Sequence, residues 1–417
     1  MNPDAERNLA AGDHGRDGGR HLALPCARSL AGLATPSIIL SALLCLLAAT
    51  PASGETGLAL TLNPPPAGGW LSPCAVVRDG QGWSLRQLFF SAELWDYELG
   101  AGWRPVDWGP SPGEDLVFGG LVGLPQIRLA ASYAGFEILP PLEYENFYAF
   151  LPPRDGSGRL LIGRRYTTDW SEGRWMLGFT EAALLSGDYS PYYLIPYPFF
   201  PLSVGKVFLS ETRTGDRHDA NMLYGLDLAY RDEGLTAYAS LLVDEAPLTA
   251  AWAGPWRVGA QFGAEIAGVF GREDLKMWGE YTGISRYAYA ANEGYARADF
   301  LAGSRLLGHP LGPDADLFLL RMVHEAGTRR TWCGMARERR GEGGLDDRWT
   351  PVDGQTLSFL GGTVETSFWV EGGLSVRFGE DLTVAGSAGL ARVTNQDNLE
   401  GVTGWAGRFS LDVTYAL

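Results

Sequence analysis

Hydrophobic and polar positions alternate one by one through much of this chain. From Arg408 to Leu417, Phe409, Leu411, Val413, Tyr415 and Leu417 fall on one face, and Arg408, Ser410, Asp412, Thr414 and Ala416 on the other. A period of two marks a β-strand whose two faces meet different surroundings. The same pattern sets Trp256, Val258, Ala260, Phe262, Ala264 and Ile266 against Arg257, Gly259, Gln261, Gly263 and Glu265. Met222, Tyr224, Leu226, Leu228 and Tyr230 oppose Gly225, Asp227 and Ala229, and after Arg231-Asp232-Glu233-Gly234 the alternation resumes with Leu235, Ala237, Ala239, Leu241 and Val243. Leu382, Val384, Gly386, Ala388 and Leu390 repeat it against Thr383, Ser387 and Gly389. Such runs exceed the ~5–6 residues usual in globular strands and suit the ~9–11 of a transmembrane strand. The predicted fold is therefore all-β, an antiparallel transmembrane β-barrel of about 14–18 strands. Closure pairs every backbone group, so the lipid meets side chains alone.

Turn residues divide the barrel region, 82–417, into hairpins. Ser171-Glu172-Gly173, Asp232-Glu233-Gly234, Gly271-Arg272-Glu273-Asp274 and Gly379-Glu380-Asp381 are the predicted turns. Two segments interrupt the alternation. Pro191 to Pro201 mixes prolines with Tyr192, Tyr193, Tyr197, Phe199 and Phe200 and cannot be a central strand. Arg337 to Arg348 reads as a charged, solvent-exposed loop. Residues 55–81, with Pro64-Pro65-Pro66, form a lead-in.

The start of the chain differs in kind. Arg20 and Arg28 precede an apolar stretch from Leu30 to Ala49, broken by Pro36 and followed by Ala52-Ser53-Gly54. Residues 1–54 read as a secretory signal with a long charged leader, cleaved near Ser53 or Gly54. Export of this kind, joined to barrel strands, predicts residence in the outer membrane.

Composition narrows the partners. The net charge of -16 argues against nucleic-acid binding. The 56 glycines and 12% aromatic residues suit turns, close strand packing and interfacial girdles. Lys206 and Lys276 are the only lysines, so positive charge is carried by arginine, which forks onto carboxylates. Beyond the leader only Cys74 and Cys333 remain; export permits their pairing, and the sequence leaves it open.

Several short stretches together resemble the Wzi capsule-assembly family. They are Leu160-Leu161-Ile162-Gly163-Arg164-Arg165, Leu177-Gly178-Phe179-Thr180-Glu181, Tyr192-Tyr193-Leu194-Ile195-Pro196, Asp219-Ala220-Asn221, Leu241-Leu242-Val243-Asp244-Glu245 and the segment Leu307 to Asp316. The resemblance spans roughly residues 155–325. It implies an outer-membrane barrel of about eighteen strands that holds capsular or surface polysaccharide as a lectin, without catalysis and without a cofactor.

Candidate chemistry is sparse. His218, His309 and His324 are the histidines beyond the leader, with neither a Gly-x-Ser-x-Gly elbow nor a His-Glu-x-x-His helix. Glu265 and Glu280 could pair for glycoside cleavage, but a wet lumen explains them as well. Asp314 and Asp316 offer Ca²⁺ few of its ~6–8 ligands. No catalytic or metal site is predicted. Tyr192, Tyr193 and Tyr197 could stack on sugars if their loop is extracellular, or could serve as plug or girdle residues. Asp227, Arg257, Gln261 and Glu265 are the inward-facing candidates for ligand or lumen. Arg164 and Arg165 should face opposite ways. Surface polysaccharide and outer-membrane lipid are thus the expected partners, and a porin with the same lumen residues is the alternative.

Overall fold

The computed structural model describes residues 58–62, 74–79, 82–94, 97–106, 108–119, 123–133, 140–187, 191–194, 219–244, 255–291, 298–350, 357–379 and 382–415. Side chains are described from Phe89 onward, apart from some at segment ends. The predicted signal and most of the lead-in lie outside the described residues.

The first strands are β1 (Leu58–Leu62), β2 (Cys74–Asp79), β3 (Gly82–Leu94), β4 (Tyr97–Arg104), β5 (Leu124–Tyr133) and β6 (Leu142–Arg154). Next come β7 (Ser157–Trp170), β8 (Trp175–Ser186), β9 (Asp219–Asp232), β10 (Leu235–Asp244), β11 (Val258–Ala267) and β12 (Leu275–Ile284). A small hairpin, β13 (Leu301–Ala302) and β14 (Arg305–Leu306), sits in the following loop. The last strands are β15 (Ala315–Ala326), β16 (Arg329–Arg340), β17 (Glu365–Phe378), β18 (Leu382–Thr394) and β19 (Thr403–Tyr415).

Among the described residues, leaving out β13 and β14, seventeen strands form one sheet. Each strand pairs antiparallel with the next in sequence, β12 passing to β15 across the small hairpin. β19 lies beside β1, which brings the two ends of the sheet together. The chain is an all-β barrel, within the predicted range of strand number.

Exposure confirms the predicted register. Leu226, Leu228, Leu241, Phe262, Ile266, Phe368, Val370, Leu390, Phe409 and Leu411 are exposed, whereas Gly225, Asp227, Ala229, Gly259 and Gln261 are buried. In water such an apolar belt would be costly; in a bilayer it is the solvent-matched face. Among the described residues no helix is long and apolar enough to cross a membrane. The predicted turns all fall between consecutive strands. Ser171, Glu172 and Gly173 carry positive φ in the tight link from β7 to β8, where Arg174 N–H donates to Ser171 O at 3.2 Å.

Short links follow β3, β7, β9, β11, β15 and β17, while several long links follow strands at the other end, notably β4, β8, β10, β12 and β16. The barrel thus has a short-turn end and a long-loop end.

Candidate functional site

The described parts of two long-loop-end segments turn into the barrel. Pro105–Gly119 leaves β4 and delivers Val106, Trp108, Leu116, Val117 and Phe118 to the interior, all buried. Ser285–Asp314, after β12, delivers Ala288, Tyr289, Ala291, Phe300, Leu307 and Leu311 to the same cluster. The wall supplies Phe147, Leu161, Leu184, Leu223, Leu242 and Ile284. Rings interlock across the three sources: Phe118 lies 5.4 Å from Trp108, 5.4 Å from Phe147 and 5.8 Å from Phe300. Burying each large apolar side chain contributes ~1.5–3 kcal/mol, so these loops are a packed core inside the barrel.

Gly163 explains why its motif needs a glycine. A Cβ there would lie 2.2 Å from the Phe147 ring and 2.8 Å from that of Trp108. Only a bare backbone lets β7 accept both rings.

Polar wall residues hold the loops by their backbones. Gln261 donates to Glu114 O at 2.8 Å, Arg257 to Ala290 O at 2.9 Å and Asn221 to Tyr289 O at 3.3 Å. Asp244 accepts the Tyr289 N–H at 2.7 Å, and Glu280 accepts from Ser111 Oγ at 2.7 Å. The loops also join each other: Gly119 N–H donates to Leu307 O at 3.0 Å, and the Tyr289 hydroxyl donates to Leu116 O. Burial leaves these groups no water to return to, so each bond costs ~1–3 kcal/mol to leave unmade.

The predicted inward candidates therefore divide. Asp227, Arg257, Gln261 and Glu265 all lie on the inner face; Asp227, Arg257 and Gln261 are buried and engaged. Asp227 accepts Arg165 Nη1 at 2.7 Å, and the same guanidinium donates to Trp108 O at 2.9 Å. Glu265 is half-buried and opposes Trp278 in the ladder. Arg164 and Arg165 face opposite ways as expected. Arg164, in register with Glu181, is buried on the outer face.

The described part of the proline-rich segment, Pro191–Leu194, is a short 3-10 turn, and the rest lies outside the described residues. Tyr193 packs on Leu160, Ile162, Ala183, Leu185 and Met222, on the face of the wall opposite to Leu161, Leu184 and Leu223. The Tyr148 hydroxyl donates to Leu194 O at 3.0 Å. Tyr193 thus spends its ring on the outer wall. The side chain of Tyr192 and all of Tyr197 lie outside the described residues.

Other expectations meet specific geometry. Asp314 and Asp316 do not converge on a cation site: Asp314 accepts N–H groups of Gly343 and Gly361, and Asp316 takes Arg339 and the Tyr281 hydroxyl. Among the described residues no group of three or more His, Cys, Asp or Glu is placed to hold a metal. The charged stretch Arg337–Arg348 is not a free loop. Arg337–Arg340 complete β16, and Asp347 is forked by Arg286 at 3.0 and 2.7 Å. His309 is buried, its Nδ1 accepting the Leu311 N–H at 3.1 Å; burial, then the nearby Arg340, pushes the imidazole down to about 4. Cys333 is exposed and free.

Sequence reasoning missed Asp299. Wholly buried, it accepts Ala291 N–H at 2.9 Å and Arg348 at 2.7 Å. It lies in no alternating run, so periodicity gave it no face. Also unforeseen is a cavity of about 590 Å³, lined among others by Glu93, Glu98, Glu143, Glu145, Arg128 and Trp108. Glu145 there takes both the Trp108 indole N–H and Arg128.

These features define an outer-membrane-type β-barrel with an internally packed bore. No protein-family model matches the chain. No curated protein matches it. Among solved structures it is similar to Escherichia coli Wzi, described as an outer membrane protein involved in group 1 capsule assembly and a carbohydrate-binding β-barrel. That match has TM-score 0.58 at 15% identity, covering 84% of this chain and 77% of that one. Two others match more loosely: Pseudomonas aeruginosa OccD3 at TM-score 0.41 and 11% identity, over 84% and 83%, and the outer membrane channel DcaP of Acinetobacter baumannii at 0.39 and 11%, over 64% and 74%. The likeness to Wzi establishes the fold.

Proposed function

We propose that this chain is a divergent relative of the Wzi family, an exported outer-membrane barrel that holds surface polysaccharide noncovalently and does no chemistry on it. The observation that carries this reading is the pair of inward loops. A diffusion porin needs a water-filled bore, whereas here Phe118, Tyr289 and Phe300 pack against the wall and the wall's polar groups are bonded to loop backbone. A bore blocked this way offers no diffusion path and leaves the open surfaces for binding, including the parts of the inner wall that the loops do not cover. Likeness to a carbohydrate-binding barrel supplies the ligand class.

On this reading residues 1–54 are the export signal, and the exposed belt that includes Phe90, Ile127, Phe262 and Phe409 meets outer-membrane lipid. Tyr192 and Tyr197 are the proposed sugar-stacking residues. Asp227, Arg257 and Gln261 act indirectly, through the wall and loops they brace. Glu265 remains a lumen residue.

The test is deletion of the gene in its host, comparing cell-attached with released polysaccharide and assaying small-solute uptake on the same cells. Shedding at normal total yield with unchanged uptake is expected. Normal attachment with slowed uptake would make the barrel a porin and remove the proposal.

A further inference from the structure

On the inner face of β12 and β15–β19 the ladders set one continuous row. Trp278 pairs with Arg321, Arg321 with Gly334, Gly334 with Glu371, Glu371 with Gly389 and Gly389 with Arg408. Glu371 is buried and accepts from Arg321 at 2.9 Å and from Arg408. Both guanidiniums lie against indoles: Arg321 is 4.3 Å from the Trp332 ring centroid, and Arg408 is 4.6 Å from that of Trp369. Gly373 makes room for this layer, since a Cβ there would meet the Trp332 indole nitrogen at 2.4 Å.

One carboxylate cannot neutralise two guanidiniums, so this trio carries excess positive charge in a chain of net charge -16. Arg408 keeps 55% of its side chain exposed, and a guanidinium has five N–H donors, most of them free after its bond to Glu371. β12 runs from the short-turn end, and Trp278 precedes Glu280. At β12 the row thus lies on the short-turn side of the contact between Glu280 and Ser111 of the inward loop.

We propose that this row is a subsite for a carboxylate-bearing sugar, a uronic-acid unit of a saccharide chain. Arg408 forks the sugar carboxylate, and the apolar faces of that unit and of its chain neighbour rest on Trp369 and Trp332, both half-buried. A neutral sugar loses the fork and keeps only the stacking. The inference rests on the polysaccharide reading and names its chemistry at one place.

The test uses the purified full chain in detergent and tryptophan fluorescence. The probes are an oligosaccharide of alternating glucuronic acid and N-acetylglucosamine and its carboxyl-reduced form. The native chain should bind the acidic probe about tenfold more tightly than the reduced one, the worth of a charge-assisted hydrogen bond. Arg408→Gln should erase that preference while binding the reduced probe as before, and it leaves Glu371 paired with Arg321, so the barrel should keep its heat-modifiable gel mobility. Trp332→Phe should weaken both probes. No binding of the acidic probe, no preference in the native chain, or preference retained by Arg408→Gln would each overturn the subsite and reduce the row to a brace of the lumen wall. Polysaccharide shed by the deleted host together with any of those results would leave the proposed function standing and remove this inference alone.

Discussion

At the scale of the residue, alternation decides which substitutions the barrel tolerates. Phe262 is 55% exposed at the middle of β11, and Glu265, three positions on, faces inward. Arginine on the lipid face at the midplane costs ~2–4 kcal/mol, and much less on a lumen face. Phe262→Arg should therefore block assembly into vesicles while Glu265→Arg assembles, read by heat-modifiable mobility; equal assembly of both would refute the register. His309 makes a second case. Its imidazole, at about 4 in the fold against an ordinary 6.5, stays neutral because the ring is buried and its Nδ1 must accept the Leu311 N–H. The unfolded chain binds the extra proton first as pH falls, so this contribution is complete above 6.5 and is lost between 6.5 and about 4. Its size is on the order of 3 kcal/mol. The urea midpoint should drop between pH 7 and pH 5, and His309→Asn, whose amide oxygen can still accept, should remove most of that drop. Asp227 and Gln261 were legible as inward-facing because they sit in alternating strands. Their partners, Arg165 and the Glu114 carbonyl, were not, since a register between distant segments leaves no local trace.

At the scale of the element, the strands were readable and the loops were not. A strand in a barrel repeats its two solvents every second residue, so Leu226, Leu228, Leu241 and Phe262 declared their face in advance. The described parts of 105–119 and 285–314 have no period, because each is held by individual bonds to different wall strands. Their composition, apolar but turn-rich, is equally that of an exposed surface loop. The segment Pro191–Leu194 shows the same ambiguity, for a tyrosine-rich turn suits both glycan stacking and packing. Its Tyr193, 6% exposed, takes the second course against Leu160, Ile162, Leu185 and Met222. Replacing a buried aromatic ring by alanine costs ~3–5 kcal/mol when the site cannot collapse. Tyr193→Ala should lower the urea midpoint clearly, whereas Leu194→Ala, at 46% exposure, should leave it nearly unchanged. The opposite order would place the tyrosine ring in solvent, free for a sugar.

At the scale of the whole molecule, the question is what a barrel gains by filling its own bore. Seventeen strands enclose far more space than side chains alone can fill; even sixteen- to eighteen-stranded porins keep an aqueous channel. Here the loop after β4 and the loop after β12 meet inside the ring and bond to each other through Gly119 and Leu307. The packing does not depend on the lipid belt, so it can be removed without touching the outer face. Replacing Ser111–Phe118 by a short Gly-Ser link would take away Leu116, Val117 and Phe118 together with the loop partners of Gln261 and Glu280. The strands themselves would keep every ladder. In planar bilayers the native chain should show little conductance and the shortened chain should open stable channels, with both still running as folded barrels on unheated gels. Native conductance equal to that of the shortened chain would mean that ions already pass the two loops, and the porin reading would then account for the bore better than surface binding does.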